Sequence, residues 1–298
     1  MFEKILVPLD GSELAKQVFG CVSDLARAFN PEVILAGVCE PHETDREQAC
    51  REYIDEEARL MRKNIADPSF RLGTAVLLGK PAELILEYAE KNGVGLIVIS
   101  SHGRSGIRPW SLGSTANKVL HKVGVPLIMV RATEPPAAPP SIFRRILVPL
   151  DGSERGEVIL PYVAEIHRRI PSEVILLRVL EAGKHVRSIG GLDFVRFEDR
   201  TMKTAYKEAL SYLEKTSQGL AAGSGQVSTE VRAGDGAEEI IKHAAENRCT
   251  LVAMPSHGHS GIESWLYGSV TYKVLQAGKE AVMLVPSTVT SRKRPGRP

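Results

Sequence analysis

The sequence predicts an α/β protein of two tandem doubly wound domains, each a five-stranded parallel sheet flanked by helices, related by a pseudo-twofold axis. Three observations lead to this fold class. The 298 residues suffice for two domains at roughly 100–200 residues each. One half of the chain repeats the other. Within each half, short runs rich in Val and Ile alternate with longer amphipathic stretches, which is the pattern of a wound α/β sheet.

The internal repeat is visible as identical sequence. The nine residues Ile5–Glu13 recur unchanged as Ile146–Glu154, 141 positions later. A later segment, Ser101–Ile107, recurs with one change as Ser256–Ile262, now 155 positions later. The second copy is therefore 14 residues longer between these segments.

The duplication also predicts how the copies pack. A duplicated domain retains the self-complementary surface of a symmetric dimer, so we expect an internal pseudo-dimer. The candidate contact joins the final predicted strands, Pro126–Val130 and Ala281–Val285, whose edges would otherwise be unpaired. A further homodimer of whole chains is compatible with this arrangement.

Continuous apolar runs mark the strands of the first copy. Such runs favour a sheet covered on both faces, and hence parallel pairing. The predicted strands are Lys4–Leu9, Glu32–Val38, Arg71–Leu77, Gly95–Ser100 and Pro126–Val130.

Helices are predicted between these strands. Apolar residues at helical spacing give one helix in each copy a core face, and Ser12 and Ser153 are typical N-caps. The core faces comprise Ile54, Ala58, Met61 and Ile65 in the first copy, and Met202, Tyr206, Leu210 and Leu213 in the second.

The remaining segments set the domain boundaries. We expect a first domain over residues 1–132, a Pro-rich linker over 133–142, a second domain over 143–287 and a basic tail over 288–298. The chain has 38 basic and 36 acidic side chains, a net charge of +2, which gives no general field for nucleic acid or anionic membranes. We interpret the tail as solvated.

The cysteines and the N-terminus predict the compartment. The four cysteines form no CxxC pair, and no His/Cys spacing resembles a zinc site. The first residues lack the apolar core of a signal peptide, and no apolar run approaches the roughly 18 residues of a membrane span. We therefore expect a cytoplasmic protein without a metal cluster or a membrane contact.

A carboxylate follows the first strand of each copy. Asp10 lies in Pro8-Leu-Asp-Gly-Ser12, and Asp151 lies in the matching segment from Pro149 to Ser153. Ligands of doubly wound sheets bind outside the carboxyl ends of the strands. By position alone, helix capping and ligand contact are about equally good explanations of this Asp.

A glycine and hydroxyl segment follows the fourth strand. Ser101-His-Gly103 is separated by nine residues from Gly113-Ser114-Thr115, and the second copy keeps that gap between Gly258 and Gly268. Gly103 would permit close approach of an anion, and the free N–H groups and dipole of the helix opening at Gly113-Ser114 would favour phosphate. A turn and an N-cap explain a single occurrence better, but the repeated spacing favours a ligand site.

Other residues at the strand ends have simpler explanations. Val38-Cys39 and Val179-Leu180, at the end of the second strand of each copy, could line an adenine-sized slot, although core packing is the better explanation of them in isolation. His102 and His257 have no legible Ser-His-Asp or Cys-His context, so we interpret them as hydrogen-bonded loop histidines. We interpret Trp110 and Trp265 as packing residues.

These segments together resemble a known family. A strand ending in Val-Pro-Leu-Asp-Gly-Ser, with a later Gly-x2-Gly-x9-Gly-Ser/Thr segment, is similar to the universal stress protein family in its tandem form. The resemblance covers both copies and implies a five-stranded parallel α/β domain. Its ATP-binding members imply an adenine nucleotide as ligand, ATP, ADP or AMP, with or without Mg²⁺.

The resemblance also implies roles for single residues. Asp10 and Asp151 would meet the adenosine moiety, and Val38 and Val179 would flank adenine. The residues that would hold ribose and phosphates are Gly103, Gly113, Ser114 and Thr115, and in the second copy Gly258, Gly268, Ser269 and Val270. The strand-end neighbours Pro8, Ile99, Ser100, Pro149 and Met254 complete the predicted binding set.

One departure separates the copies. Where the family pattern opens with glycine, this chain has Ser100 in the first copy and Pro255 in the second. Proline has no N–H to donate, so the first site is expected to bind the nucleotide more tightly.

Three functions are consistent with these residues. The leading one is a nucleotide-binding stress-response protein in which occupancy biases a conformation or a partner interaction. A slow ATPase or self-phosphorylating enzyme is the second, although no Walker lysine or evident general base supports rapid turnover. The third is a nucleotide-free interaction module.

Overall fold

The computed structural model describes residues 1–39, 44–104, 106–107, 112–134, 141–181, 199–256 and 268–286. The strands of the first copy are β1 (Lys4–Leu9), β2 (Glu32–Cys39), β3 (Arg71–Leu78), β4 (Leu96–Ser100) and β5 (Leu127–Val130). Its helices are α1 (Glu13–Lys16), α2 (Phe19–Phe29), α3 (Thr44–Ile65), α4 (Pro81–Lys91) and α5 (Ser114–Lys122). Each predicted strand is present, with ends within one residue of the prediction.

The second copy repeats this order. Its strands are β6 (Arg145–Pro149), β7 (Glu173–Leu180), β8 (Val227–Ala233), β9 (Leu251–Pro255) and β10 (Ala281–Val285). Its helices are α6 (Leu160–Arg169), α7 (Asp199–Gln218), α8 (Gly236–Glu246) and α9 (Ser269–Ala277). A 3₁₀ turn, Gly156–Ile159, takes the place of α1. The basic tail and most of the linker lie outside the described residues.

All ten strands form one sheet, in the order β3-β2-β1-β4-β5-β10-β9-β6-β7-β8. Pairing is parallel within each copy, which confirms the predicted doubly wound class. The chain reverses its winding between β1 and β4, and between β6 and β9. At such a switch point the two flanking connections leave on opposite faces and open a crevice at the carboxyl ends.

The copies join through β5 and β10, the predicted contact. These strands pair antiparallel, with Ile128 opposite Met283 at the centre. The repeat offset of 155 makes these two residues equivalent, so the pseudo-twofold axis passes between them. Both side chains are fully buried. We call this pairing the seam.

An arginine reinforces the seam. Arg131 follows β5, and its guanidinium donates to the carbonyl oxygens of Val274 at 3.4 Å, Leu275 at 2.5 Å and Glu280 at 3.3 Å. These carbonyls belong to the last turn of α9 and the turn after it, where helix carbonyls are open to further donors, and Val274 O also accepts from the N of Gly278 at 2.9 Å. Burial lowers the pKa of Arg131 to about 10, so it remains charged at neutral pH.

The core faces of the long helices match the prediction in α3 and depart from it in α7. Ile54, Ala58 and Met61 are buried against the sheet, but Tyr206 is 47% exposed, so the prediction for that residue is wrong. The buried residues of α7 include Ala209 and Leu213, which are the repeat equivalents of Ile54 and Ala58. The helix is rotated so that the tyrosine, with its polar hydroxyl, stays in water.

Candidate functional site

A cavity of about 640 Å³ opens at the switch point of the first copy. This volume lies within the range of roughly 300–1,000 Å³ typical of small-molecule sites. Every first-copy residue of the predicted binding set lines it: Pro8, Asp10, Val38, Ile99, Ser100, Gly103, Gly113, Ser114 and Thr115. The topology therefore brings together residues from β1, β2, β4 and the start of α5.

Asp10 links two walls of the cavity. It follows β1, and the turn after it is formed by Gly11, whose φ of 84° favours glycine. Its Oδ1 accepts hydrogen bonds from the backbone N and the hydroxyl of Ser12, at 3.0 and 2.6 Å. Its Oδ2 accepts one from the backbone N of Arg104, at 2.8 Å. The capping role predicted for Ser12 is confirmed, since its Oγ accepts from the N of Ala15 at 3.1 Å.

Gly103 is required because the Asp10 carboxylate lies against it. A Cβ built on Gly103 would be 2.8 Å from Asp10 Cγ and closer still to Oδ2. Real Cβ atoms do not approach other heavy atoms so closely. The loop after β4 can therefore bond to Asp10 only with glycine at this position.

Gly113 begins α5 in close contact with the loop after β4. Its φ is −56°, so its backbone is not left-handed. Its N donates to the carbonyl of Ser101 at 2.8 Å, and a Cβ would lie 3.1 Å from that oxygen. Gly113 caps α5 without a side-chain hydrogen bond, so the first N–H groups of this helix remain available next to Ser114 and Thr115.

The Ser100 side chain connects the loop after β4 to helix α1. Its hydroxyl lies 3.0 Å from the carbonyl oxygen of Leu14 and 2.8 Å from that of His102. His102 is buried, with Nδ1 at 3.1 Å from Ser101 Oγ, as expected for a hydrogen-bonded loop histidine. Trp110 lies outside the described residues.

Several residues that line the cavity were not predicted from the sequence. They include Ala49, Cys50 and Tyr53 on α3, Pro81 on α4, and Arg104, whereas Cys39 at the end of β2 lines the cavity as predicted. Of these residues, only Arg104 could have been suspected from the sequence, because it follows Gly103 of the predicted binding set. The α3 residues reach the cavity because this helix crosses the sheet beside β2, which periodicity alone does not reveal.

An ion pair lies next to Tyr53, one of the residues that line the cavity. Glu57 is buried, and its Oε1 lies 2.8 Å from the ammonium of Lys16, which is 5.7 Å from the centre of the Tyr53 ring. Desolvation raises the pKa of Tyr53 above its usual range, so its hydroxyl stays protonated at neutral pH. In the second copy the pair is replaced by a hydrogen bond of 3.0 Å from Tyr212 to Glu157, the repeat equivalents of Glu57 and Lys16.

The second copy reproduces part of this arrangement. Asp151 Oδ1 accepts from the N and Oγ of Ser153, at 3.0 and 2.7 Å. Gly268 caps α9 and donates to the carbonyl of Ser256 at 3.1 Å, as Gly113 does to Ser101. Other predicted residues lie at strand or helix ends: Pro149 in β6, Val179 in β7, Met254 in β9, and Ser269 and Val270 in α9. Gly258, His257 and Trp265 lie outside the described residues.

Arg178 distinguishes the second copy. Its first-copy equivalent is Gly37, where a Cβ would lie 2.5 Å from Cys50 Sγ and 2.8 Å from Ile54 Cγ1. The second copy has Ala205 and Ala209 at those helix positions, so the arginine stem has room.

The Arg178 guanidinium takes the place that Arg104 occupies in the first copy. Its Nη1 donates to Leu150 O at 3.3 Å and lies 2.7 Å from a Cβ built on Gly152. In the first copy, Arg104 Nη2 lies 2.9 Å from a Cβ built on Gly11, the equivalent glycine. Each copy therefore has a guanidinium over this turn, reached from a different element.

The described part of the chain has neither a cluster of metal ligands nor a helix that could cross a bilayer. No group of three or more His, Cys, Asp or Glu side chains there could hold a metal ion. None of the helices in those ranges combines the length and the apolar character of a bilayer span.

Comparison with known proteins gives a consistent result for both copies. The model of the universal stress protein family matches residues 1–131 and 142–286. The universal stress protein YxiE of Bacillus subtilis is 31% identical over 147 residues, 48% of this chain and 99% of that protein. The universal stress protein Rv2005c of Mycobacterium tuberculosis is 22% identical over 240 residues, 80% of this chain and 77% of that protein.

A solved structure shares the fold over almost the full length. A universal stress protein from Archaeoglobus fulgidus aligns with a TM-score of 0.70 and 20% identity, covering 96% of this chain and 99% of that one. The similarity to this structure extends to the tandem arrangement, since a single alignment spans both copies.

Proposed function

Because this chain belongs to the universal stress protein family, in tandem form, we propose that its first copy binds an adenine nucleotide, ATP or AMP, as a regulatory ligand. The observation that carries the proposal is the cavity at the first switch point, which all nine first-copy residues of the predicted binding set line. The role is binding, with occupancy biasing a conformation or a partner contact. A cytoplasmic location remains a prediction.

The proposed pose places each part of the nucleotide against matching chemistry. Adenine would lie in the slot beside Val38, with Asp10 toward the adenosine moiety. Phosphates would lie at the start of α5, where unpaired N–H groups and the helix dipole favour negative charge. The hydroxyls of Ser114 and Thr115 add donors. A Mg²⁺ ion, if bound, would be held mainly by phosphates and water, as is usual for this cation.

Equilibrium binding tests the proposal. Full-length protein stripped of ligand would be titrated with ATP, ADP, AMP and, as a control for the base, GTP. We expect saturable binding of an adenine nucleotide with a clear preference over GTP. No binding of any adenine nucleotide to folded protein would leave the nucleotide-free interaction module as the better explanation, and ADP release within minutes would support a slow ATPase instead.

Replacing Asp10 with Asn tests its carboxylate. The substitution keeps the shape of the side chain but removes the charge that three donors share, so we expect affinity to fall roughly tenfold or more. Asp67→Asn is a matched control, because Asp67 accepts from the N and Oγ of Ser69 in a similar turn and does not line the cavity. If the Asp10 variant binds the nucleotide as tightly as the control, the Asp10 carboxylate does not contribute to binding.

The two sites are expected to differ in affinity. Pro255 lacks the backbone N–H of Ser100 and also the hydroxyl that bonds to the Leu14 and His102 carbonyls, and Val270 lacks the hydroxyl of Thr115. Losing one or two neutral hydrogen bonds at about 0.5–1.5 kcal/mol each predicts about threefold to a hundredfold weaker binding at the second site.

Single-site variants measure this difference. Gly113→Val should leave only the weaker second site, because its side chain would press against the Ser101 carbonyl. Gly268→Val should leave only the tighter first site. If the protein carrying Gly113→Val binds as tightly as the one carrying Gly268→Val, the argument from Pro255 fails.

A further inference from the structure

Two thiols lie side by side in the wall of the first cavity. Cys39 is the last residue of β2, Cys50 lies in the second turn of α3, and both line the cavity. Cys39 projects from the same face of β2 as Gly37, two residues earlier. The missing side chain of Gly37 makes room for Cys50 Sγ, which lies 2.5 Å from the position of a Cβ there. The two thiols are hydrogen-bonded to each other.

The pair is confined to this cavity. The other two cysteines are buried elsewhere, Cys21 in α2 and Cys249 just before β9, and neither lines the cavity. The second copy has Leu180 and Ala205 at the equivalent positions. The chain thus contains one adjacent pair and two internal control cysteines.

We propose that Cys39 and Cys50 form a reversible disulfide in the cavity wall when a peroxide oxidises them, and that a ligand in the cavity shields them from this reaction. In the first step, one of the two sulfurs attacks one peroxide oxygen, the O–O bond breaks, and that cysteine becomes a sulfenic acid while water leaves. In the second, the other sulfur displaces the sulfenic hydroxyl, which takes up the proton of the second thiol and leaves as water. Two electrons pass from the two sulfurs to the peroxide.

Charged groups near Cys50 act on its thiol in opposite directions. Burial, and then the neighbouring Cys39, raise the pKa of the Cys50 thiol to about 12, while Arg104 and Arg51 act in the opposite direction. Thiolates are the reactive form in both steps, so these two arginines favour the reaction.

The shielding part rests on the proposed function, whereas disulfide formation does not. Both sulfurs line the space that the nucleotide would occupy. A bound nucleotide would therefore exclude peroxide from the pair, so that the empty protein oxidises and the loaded protein does not.

Mass spectrometry of the full chain tests disulfide formation. Reduced protein would be treated with hydrogen peroxide, alkylated and digested. We expect a peptide linking Cys39 to Cys50, reversed by dithiothreitol, with Cys21 and Cys249 unlinked. Neither Cys39→Ser nor Cys50→Ser protein should give the linked peptide, and dimedone should label the remaining cysteine of the pair in each, because its sulfenic acid has no neighbouring thiol to react with. Absence of the linked peptide from folded protein, or equal linkage to Cys21 or Cys249, would overturn the proposal.

A second measurement separates shielding from binding. Saturating ATP should slow formation of the linked peptide about tenfold or more, while the same concentration of inorganic phosphate should not. Undiminished oxidation of protein that binds ATP by titration would refute shielding. If ATP does not bind at all, the proposed function fails, and the linked peptide still decides whether the two thiols are a redox pair.

Discussion

Replacing Gly103 with alanine is expected to weaken nucleotide binding at the first site about a hundredfold. The new methyl group would overlap the Asp10 carboxylate, so either the loop after β4 moves or the carboxylate leaves its place. Both outcomes break the hydrogen bond from Arg104 N to Asp10, and a hydrogen bond to a charged group contributes about 1.5–3 kcal/mol. That loss corresponds to roughly ten- to a hundredfold in affinity, and displacement of Gly103 itself adds to it.

Gly124→Ala provides the matched control. Nothing lies within 4 Å of a Cβ built on Gly124, and its φ is not positive, so the same chemical change should alter neither binding nor folding. Calorimetric titration would give the affinities, and thermal unfolding would show that both proteins are folded. Full affinity in folded Gly103→Ala protein would mean that the loop after β4 does not contribute to the site.

Replacing Ile128 with alanine is expected to lower the free energy of unfolding of the whole chain by about 2–5 kcal/mol. This is the usual range when a large buried aliphatic side chain is truncated. Ile128 is fully buried at the centre of the seam, opposite Met283. Because the cavity left behind borders strands of both copies, both copies should lose stability together.

Tryptophan fluorescence can follow each copy separately. The chain has two tryptophans, Trp110 in the first copy and Trp265 in the second, so Trp110→Phe and Trp265→Phe backgrounds each report on one copy. Urea unfolding of Ile128→Ala should shift to lower concentration with either reporter. Leu78→Ala, at a side chain 49% exposed, should shift little. A shift confined to the Trp110 reporter would show that the seam does not couple the copies.

Much of the fold follows from the sequence because it depends on local patterns and on the repeat. Apolar runs located the five strands of the first copy and the last strand of the second to within a residue, and the duplication identified β5 and β10 as the joining strands. The first-copy site could be assembled in advance because strand ends in a parallel sheet meet at one edge. Asp10, Val38 and Gly113 therefore share one cavity although they are distant in sequence.

The predictions that are wrong or missing concern contacts between different helices, strands and loops. The exposure of Tyr206 depends on the rotation of α7, which a stripe of apolar residues leaves uncertain by one position. The close contact of Gly113 with the Ser101 carbonyl, which lies 3.1 Å from the position of a Cβ, is likewise not visible in the sequence. The guanidinium over the β1 turn comes from Arg104 in one copy and from Arg178 in the other, which alignment of the copies cannot reveal because the two residues are not equivalent.

The antiparallel seam determines where the two crevices open. Within each copy the strands run parallel, but their direction reverses between β5 and β10. The carboxyl ends of β1 and β6 therefore point to opposite edges of the ten-stranded sheet. A partner that covers one crevice leaves the other open to solvent, and the phosphates of two bound ligands would not repel each other appreciably across the sheet. If both copies bind a ligand as proposed, the two ligands would therefore lie on opposite sides of the molecule.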